Sequence, residues 1–300
     1  MAASPGTDPM ALSAEAELPE RKQVSVFTLM LANRGVFWGG MILVAMAIIA
    51  ALAPLVTGDP KALDPIMRLK PPSAQAWFGT DQLGRDVFTR VLWGARISLV
   101  VGLAVAVMAV SIGLVFGMVA GYVRALDGVI MRVMDGLMAI PGILLAIALV
   151  SLSGATLWTV IVAIVIPEIP RVVRLVRSVV LTVREEPYVE AAIASGTRLP
   201  LVLSRHILPN TIAPLIVQAT YICGSAMILE SILGFLGAGI PPEIPSWGNI
   251  MAEGRTYFQI TPWIIFFPGV ALAITVLAVN IVGDGLRDTL DPRIARKMGT

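Results

Sequence analysis

The chain has 300 residues, 57% of them hydrophobic and 14% charged, with a net charge of +2. Soluble domains average about 45–50% apolar and about 25% charged residues, and here apolar runs of about 20 residues recur, the length that crosses about 30 Å of hydrocarbon as a helix. Two soluble domains are therefore excluded, the near-neutral balance points to no nucleic-acid partner, and the single cysteine, Cys223, permits neither an intrachain disulfide nor a thiolate metal cluster.

The first 32 residues contain Ala, Pro and Glu but no basic segment followed by an apolar one, so they do not form a cleavable signal peptide. Residues 1–35 are expected to be a cytoplasmic tail. Six membrane spans are predicted, at 36–56, 97–122, 136–152, 157–170, 211–233 and 263–282. A long loop, 57–96, separates the first two, and residues 284–300 form a second tail. With both tails inside, roughly two thirds of the Arg and Lys residues fall on the cytoplasmic side. Loop 57–96 runs against that bias, because it carries much of the outer positive charge. In the second span Gly113, Gly117 and Gly121 recur every four residues. Such a face lets another helix approach closely, or lines a path.

The loop 57–96 contains Gly79 and Gly84 around the charged trio Asp81, Arg85 and Asp86. This reads as a tight turn leading into a short helix, capped by Thr80 or Asp81, with Asp86 and Arg90 at ion-pair spacing. It is either a plug bracing the first two spans or a contact for a delivery protein. Glu230 lies near the outer end of the fifth span, where an ionisable group is a functional candidate or a boundary group bonded to neighbours. Trp247 follows a Pro-rich turn and is expected to anchor at the lipid headgroups, the alternative being to pack over a path exit. Glu168 stands between Pro167 and Pro170 and is expected to pair with Arg171.

Between the fourth and fifth spans lies the most informative segment, 184–209. Arg171, Arg174 and Arg177 form a basic stripe leading into it. Pro187 suits the first turn of a helix and Gly196 the position just past its end. The predicted helix, about nine residues long, is too short to be stable alone and needs a partner surface. A second short helix is predicted from Pro200, stopped by Pro209.

Glu190-Ala191-Ala192, Gly196 and Leu208-Pro209 resemble the EAA loop of bacterial ABC importer permeases, with His206 where the short consensus has isoleucine. Residues 78–86 (FGTDQLGRD), 231–237 (SILGFLG), 245–249 (PSWGN) and 283–292 (GDGLRDTLDP) are similar to signatures of the dipeptide, oligopeptide and nickel branch of that family, and the long first outer loop resembles its C-type subunit. The resemblance implies an all-α membrane protein with six transmembrane helices and the type I ABC importer (MetI-like) fold, with a core over 97–283. It implies a multi-pass permease of the bacterial inner membrane that imports peptides, with nickel or glutathione as alternative cargo. Glu190, Ala191, Ala192, Gly196, Leu208 and Pro209 are then the ATPase-coupling residues. Asp81, Arg85, Asp86, Glu230 and Trp247 are candidates for the outer face or the path. The implied partners are a homologous second permease, two ABC ATPases, an extracytoplasmic substrate-binding protein and the bilayer.

No G-x-x-x-x-G-K-[ST] loop occurs, so ATP and Mg are expected on partner chains, with no cofactor or metal on this one. No H-E-x-x-H occurs, and the lone His206 has no catalytic company. An ion-coupled secondary transporter would want several mid-membrane ionisable groups and internal repeats. A membrane scaffold would have no use for a short coupling helix.

Overall fold

The computed structural model describes residues 33–290. The expected tails, 1–35 and 284–300, therefore lie mostly outside the described residues. All described elements are helical apart from one isolated bridge between Thr80 and Asp86.

Helix α1, Arg34–Val56, is capped by Asn33, whose Oδ1 accepts from the backbone N–H of Gly35 at 2.9 Å. It packs against α2 (Val87–Tyr122) and α10 (Trp263–Leu290). Helix α2 starts ten residues before the predicted span. Asp86 sets that start by accepting from the Thr89 backbone N–H at 2.9 Å and the Thr89 hydroxyl at 2.6 Å. The predicted cap at Thr80 or Asp81 and the predicted Asp86–Arg90 pair are both corrected, because the Asp86 carboxylate is committed to the helix N-terminus.

The predicted span 136–152 is not one helix. Helices α3, Arg124–Met138, and α4, Gly142–Ser153, meet at a bend of 87°. Pro141 lacks an N–H and biases the preceding residue away from helical angles. Conversely, α5, Leu157–Val183, runs on through Pro167 and Pro170, where the sequence pattern had ended the span. Interior prolines cost about 3 kcal/mol each, but the residues beyond them are held by packing. Val172, Val176 and Val180 are fully buried on α5 and face Gly113, Gly117 and Gly121 of α2. A Cβ on those three glycines would lie 2.4, 2.6 and 2.6 Å from the facing valine Cβ atoms. The helix-packing reading of the glycine face holds, and α2–α5 is the most extensive helix pair in the fold. Gly117→Leu is expected to force these helices apart, at a cost of at least about 1–3 kcal/mol from overpacking. A lowered thermal unfolding midpoint in detergent would report it, and an unchanged midpoint would refute it.

The chain then forms α6, Pro187–Ala194, and α7, Leu199–Val202, followed by a π-helical turn, Leu203–Ile207, that runs without a break into α8, Leu208–Phe235. Contrary to the sequence expectation, Pro209 does not stop the helix. It sits in the first turn of α8, and the wider π turn before it absorbs the missing N–H and the ring. Helix α9, Trp247–Gly254, and helix α10 complete the fold.

Four described helices (α1, α2, the α7–α8 rod and α10) are long and apolar enough to cross a membrane, and five if the bent α3–α4 pair counts as one span. The remaining predicted span, the fourth at 157–170, is the first half of α5, a helix that also carries Glu168, Arg171, Arg174 and Arg177. One apolar core runs along α2, α5 and α8 and reaches α6 through Val189. A second, at the end of the molecule bearing residues 57–86, joins α1, α2, α9 and α10 around Trp247.

Candidate functional site

Two regions at opposite ends of α2 and α5 gather the polar chemistry. At the first, α6 and α7 form a compact helical corner. Pro187 opens α6, where its missing N–H is no loss in a first turn. Gly196 closes it at φ +79, a left-handed angle that favours glycine. Its N–H donates to the Ile193 carbonyl at 2.9 Å, and the Thr197 N–H donates to the Ala192 carbonyl at 3.1 Å. These two bonds make a Schellman motif and satisfy carbonyls left open at the helix end. Val189, Val202 and Ile207 are buried and pin the corner to the main core. Asn210 Nδ2 donates to the Tyr188 hydroxyl at 3.2 Å and to the His206 carbonyl at 2.7 Å, tying α6 to the start of α8.

The opposite face of the corner is open. Glu190, Ala191, Ile193 and Gly196 are exposed, as are Tyr188 and the α7 residues Leu199 and Leu201. Ala192 and Leu208 are partly buried, and Pro209 is exposed. An eight-residue helix has too little helical propensity to hold itself. Here three buried side chains fix one face and leave small and apolar groups on the other. Upstream, α5 is strapped to α3 by Arg177–Asp127, with bonds of 2.5 and 2.7 Å, and by Arg174–Asp135 at 2.7 Å. Asp135 is thus paired, and Glu168 meets Arg171 at 3.4 Å as predicted.

At the second region, loop 57–86 folds onto the start of α2 and onto α9. Asp81 is fully buried. Its carboxylate accepts from the backbone N–H groups of Leu83 and Arg85 at 2.8 and 3.0 Å, from Arg85 Nε at 2.7 Å and from Arg90 Nη1 at 2.7 Å. Glu253 of α9 completes the set. It accepts from Arg90 Nη1 and Nη2 at 2.5 and 3.1 Å, and also from Arg85 Nη2 and, at 3.3 Å, from Gln82 Nε2. Two acids and two arginines therefore neutralise one another out of water. Each arginine fork spans both carboxylates, an arrangement a lysine could not reproduce.

Trp247 is corrected from a headgroup anchor to a core residue. It is fully buried, and its indole Nε1 donates to the Val91 carbonyl at 3.0 Å. Glu230 is fully buried as well. The Ser98 hydroxyl of α2 donates to Glu230 Oε2 at 3.2 Å, while Glu230 Oε1 and Ser231 Oγ have no partner among the described residues. The five residues proposed for this end thus divide. Asp81 and Arg85 share one cluster, Asp86 caps α2, and Glu230 and Trp247 occupy separate buried sites.

Residues 109–296 match the family described as the binding-protein-dependent transport system inner membrane component. The chain belongs to this family. The permease is 59% identical over 262 residues to a probable peptide ABC transporter permease protein of Sinorhizobium fredii, covering 87% of this chain and 90% of that one. It is 42% identical over 264 residues to a dipeptide transport system permease protein of Alkalihalophilus pseudofirmus, covering 87% of each. It is also 42% identical over 224 residues to a glutathione transport system permease protein of Pectobacterium atrosepticum, covering 74% of each. In fold, the permease matches the inward-facing MetNI methionine ABC transporter with a TM-score of 0.55 at 20% identity, covering 68% of this chain and 98% of that one. The permease therefore has the MetI-like all-helical fold and acts as a non-catalytic membrane transport subunit.

Sequence reasoning missed Glu253 and Ser98 in the permease. Glu253 is 163 residues from Arg90, beyond any local spacing rule. The one available signal was an acidic residue six positions after Trp247, in the same segment as the Pro-rich turn.

Proposed function

We propose that this permease is one of two homologous membrane subunits of an ATP-driven importer in the bacterial inner membrane, and that it carries short peptides into the cell. The α6 corner faces the cytoplasm, and loop 57–86 with α9 faces outward. An extracytoplasmic binding protein delivers the cargo. Two ATPase subunits hold ATP and Mg, and each permease supplies half of the path. Glu190, Ala191, Ala192, Gly196, Leu208 and Pro209 form the coupling element, with Glu190 and Ala191 on its open face.

The observation that carries this reading is the α6 corner itself, a short helix pinned on one side by Val189, Val202 and Ile207 and uncovered on the other. The peptide, dipeptide and glutathione transport named for the relatives supports the cargo class, since glutathione is itself a small peptide.

Gly196 supplies a clean test. A Cβ there meets nothing within 4 Å, so the only strain inside the chain is the left-handed angle. Gly196→Ala is expected to cost about 1–2 kcal/mol locally and to leave transport largely intact. Gly196→Arg and Glu190→Lys, placed against an ATPase surface, are expected to cut peptide uptake at least about tenfold, a loss of about 1.4 kcal/mol of productive coupling, while the membrane complex still folds. The measurement is uptake and ATP turnover in vesicles holding the whole transporter. Normal uptake with normally coupled ATP turnover in both variants would remove the coupling role.

A further inference from the structure

A cavity of about 690 Å³ lies between α5, α8 and the end of α10. Its polar groups are Arg287, Gln218 and Asn210, and its apolar walls include Leu175, Val217 and Pro214. Arg287 makes no ion pair among the described residues. Asn210 uses its amide N–H group on Tyr188 and His206, which leaves its carbonyl oxygen as an acceptor. The cavity thus offers one cation, two amides and walls without shape-specific polar groups. It is bounded by the same residue, Asn210, that holds Tyr188 of α6.

A small peptide presents matching chemistry: one terminal carboxylate, backbone amides and side chains of varied character. A guanidinium binds a carboxylate through two parallel bonds. Primary amides of Asn and Gln both donate to and accept from a peptide backbone. Apolar walls accept different side chains with small penalties, since a missing methylene in such a pocket changes affinity only modestly.

We propose that this cavity is a cytoplasmic exit subsite of the permease, in which Arg287 receives the terminal carboxylate of a departing peptide while Gln218 and Asn210 meet its backbone. The assignment rests on the peptide-import reading above and adds the position and the chemical group recognised. Arg287 is a specificity residue for the free carboxyl terminus. The Asn210–Tyr188 bond places an occupied subsite one residue away from α6, so exit of cargo and the state of the ATPase corner are sensed through a shared side chain.

The test uses the complete complex of both permeases and ATPases in nanodiscs of zwitterionic lipid, without nucleotide or binding protein. Equilibrium binding is measured for a radiolabelled dipeptide and for the same dipeptide with an amidated C-terminus. The native complex is expected to prefer the free acid by roughly tenfold or more, the worth of a hydrogen bond to a charged group. Arg287→Gln is expected to bring that ratio close to one while leaving amide binding unchanged, and Arg287→Lys to keep part of it. An unchanged ratio in Arg287→Gln overturns the proposal, as does an equal loss for both peptides, which would mark a structural role. Phosphatidylglycerol that displaces the dipeptide from the native complex but not from Arg287→Gln would assign the site to a lipid phosphate and also overturn it. Uptake by the complete transporter in vesicles separates the two readings. Uptake of the dipeptide without any binding in nanodiscs removes the subsite alone, and absence of uptake removes peptide import and the subsite together.

Discussion

Glu253→Ala is expected to destabilise the permease by about 3–5 kcal/mol, the cost of breaking a buried ion pair by removing one partner. Arg90 is almost fully buried and Arg85 nearly so, and each divides its donors between Asp81 and Glu253. Removing Glu253 leaves two guanidinium groups sharing one carboxylate in a place that water scarcely reaches. The Asp81 carboxylate already accepts from two backbone N–H groups, so it has little capacity to compensate. Glu253→Gln keeps the shape and one acceptor oxygen but removes the charge, and should fall between the native protein and the alanine variant. Thermal unfolding in detergent checks the order native, Gln, Ala. An alanine variant that melts with the native protein would mean that solvent reaches the cluster and that its charges contribute as weakly as surface pairs do.

Gly84→Ala should be nearly as damaging, for a different reason. Gly84 adopts φ +75, and a Cβ added there would stand 1.7 Å from the Asp64 carbonyl oxygen and 2.5 Å from its carbonyl carbon. Both are backbone atoms, so no side-chain rotation relieves the clash. The segment around Asp64 would have to move by roughly an ångström or more to restore an ordinary contact. Gly84 is also the middle of the turn that aims the Leu83 and Arg85 N–H groups at Asp81. A shift there loosens the charge cluster as well, and the expected total is more than about 3 kcal/mol, combining left-handed strain, overpacking and weakened ion pairing. Gly237→Ala is the control. It has nearly the same angle, φ +79, but nothing lies within 4 Å of the added carbon, so only about 1–2 kcal/mol is expected. Limited proteolysis of residues 57–86 together with the folded yield after solubilisation distinguishes the two. Equal behaviour of the two variants would show that the angle alone, and not the contact with Asp64, governs Gly84.

Features with a local cause were legible in the sequence. The apolar runs marked the membrane-crossing helices, because side chains along one helix decide whether it enters lipid. Pro187 and Gly196 bounded α6 to within a residue or two, because both act through their own backbone angles. The four-residue spacing of Gly113, Gly117 and Gly121 announced a close helix contact, although not that Val172, Val176 and Val180 fill it. Prolines misled where the surroundings outweighed them. Pro167, Pro170 and Pro209 sit in continuous helices, while Pro141 breaks one. The buried valines of α5 hold the helix together beyond Pro167 and Pro170. Pro209, although exposed, sits in a first turn behind the π turn, whereas the exposed Pro141 has neither support. Asp86 was read as a partner of Arg90 when two roles competed for it, and the helix N-terminus won. Trp247 was read from its outer-turn position, whereas its neighbours in space are α2 residues that the chain order keeps 156 positions away.

The charge cluster also sets a schedule. A ribosome adds about 5–20 residues each second, and 163 positions separate Arg90 from Glu253. Asp81, Arg85 and Arg90 therefore exist for roughly 8–30 s before their fourth member is made, and in that interval they carry an excess positive charge that favours water. The loop end of the nascent permease stays open through the synthesis of α3 to α8 and closes only when α9 arrives. A chain in which α9 fails to seat keeps Arg85 and Arg90 with one carboxylate between them at that end.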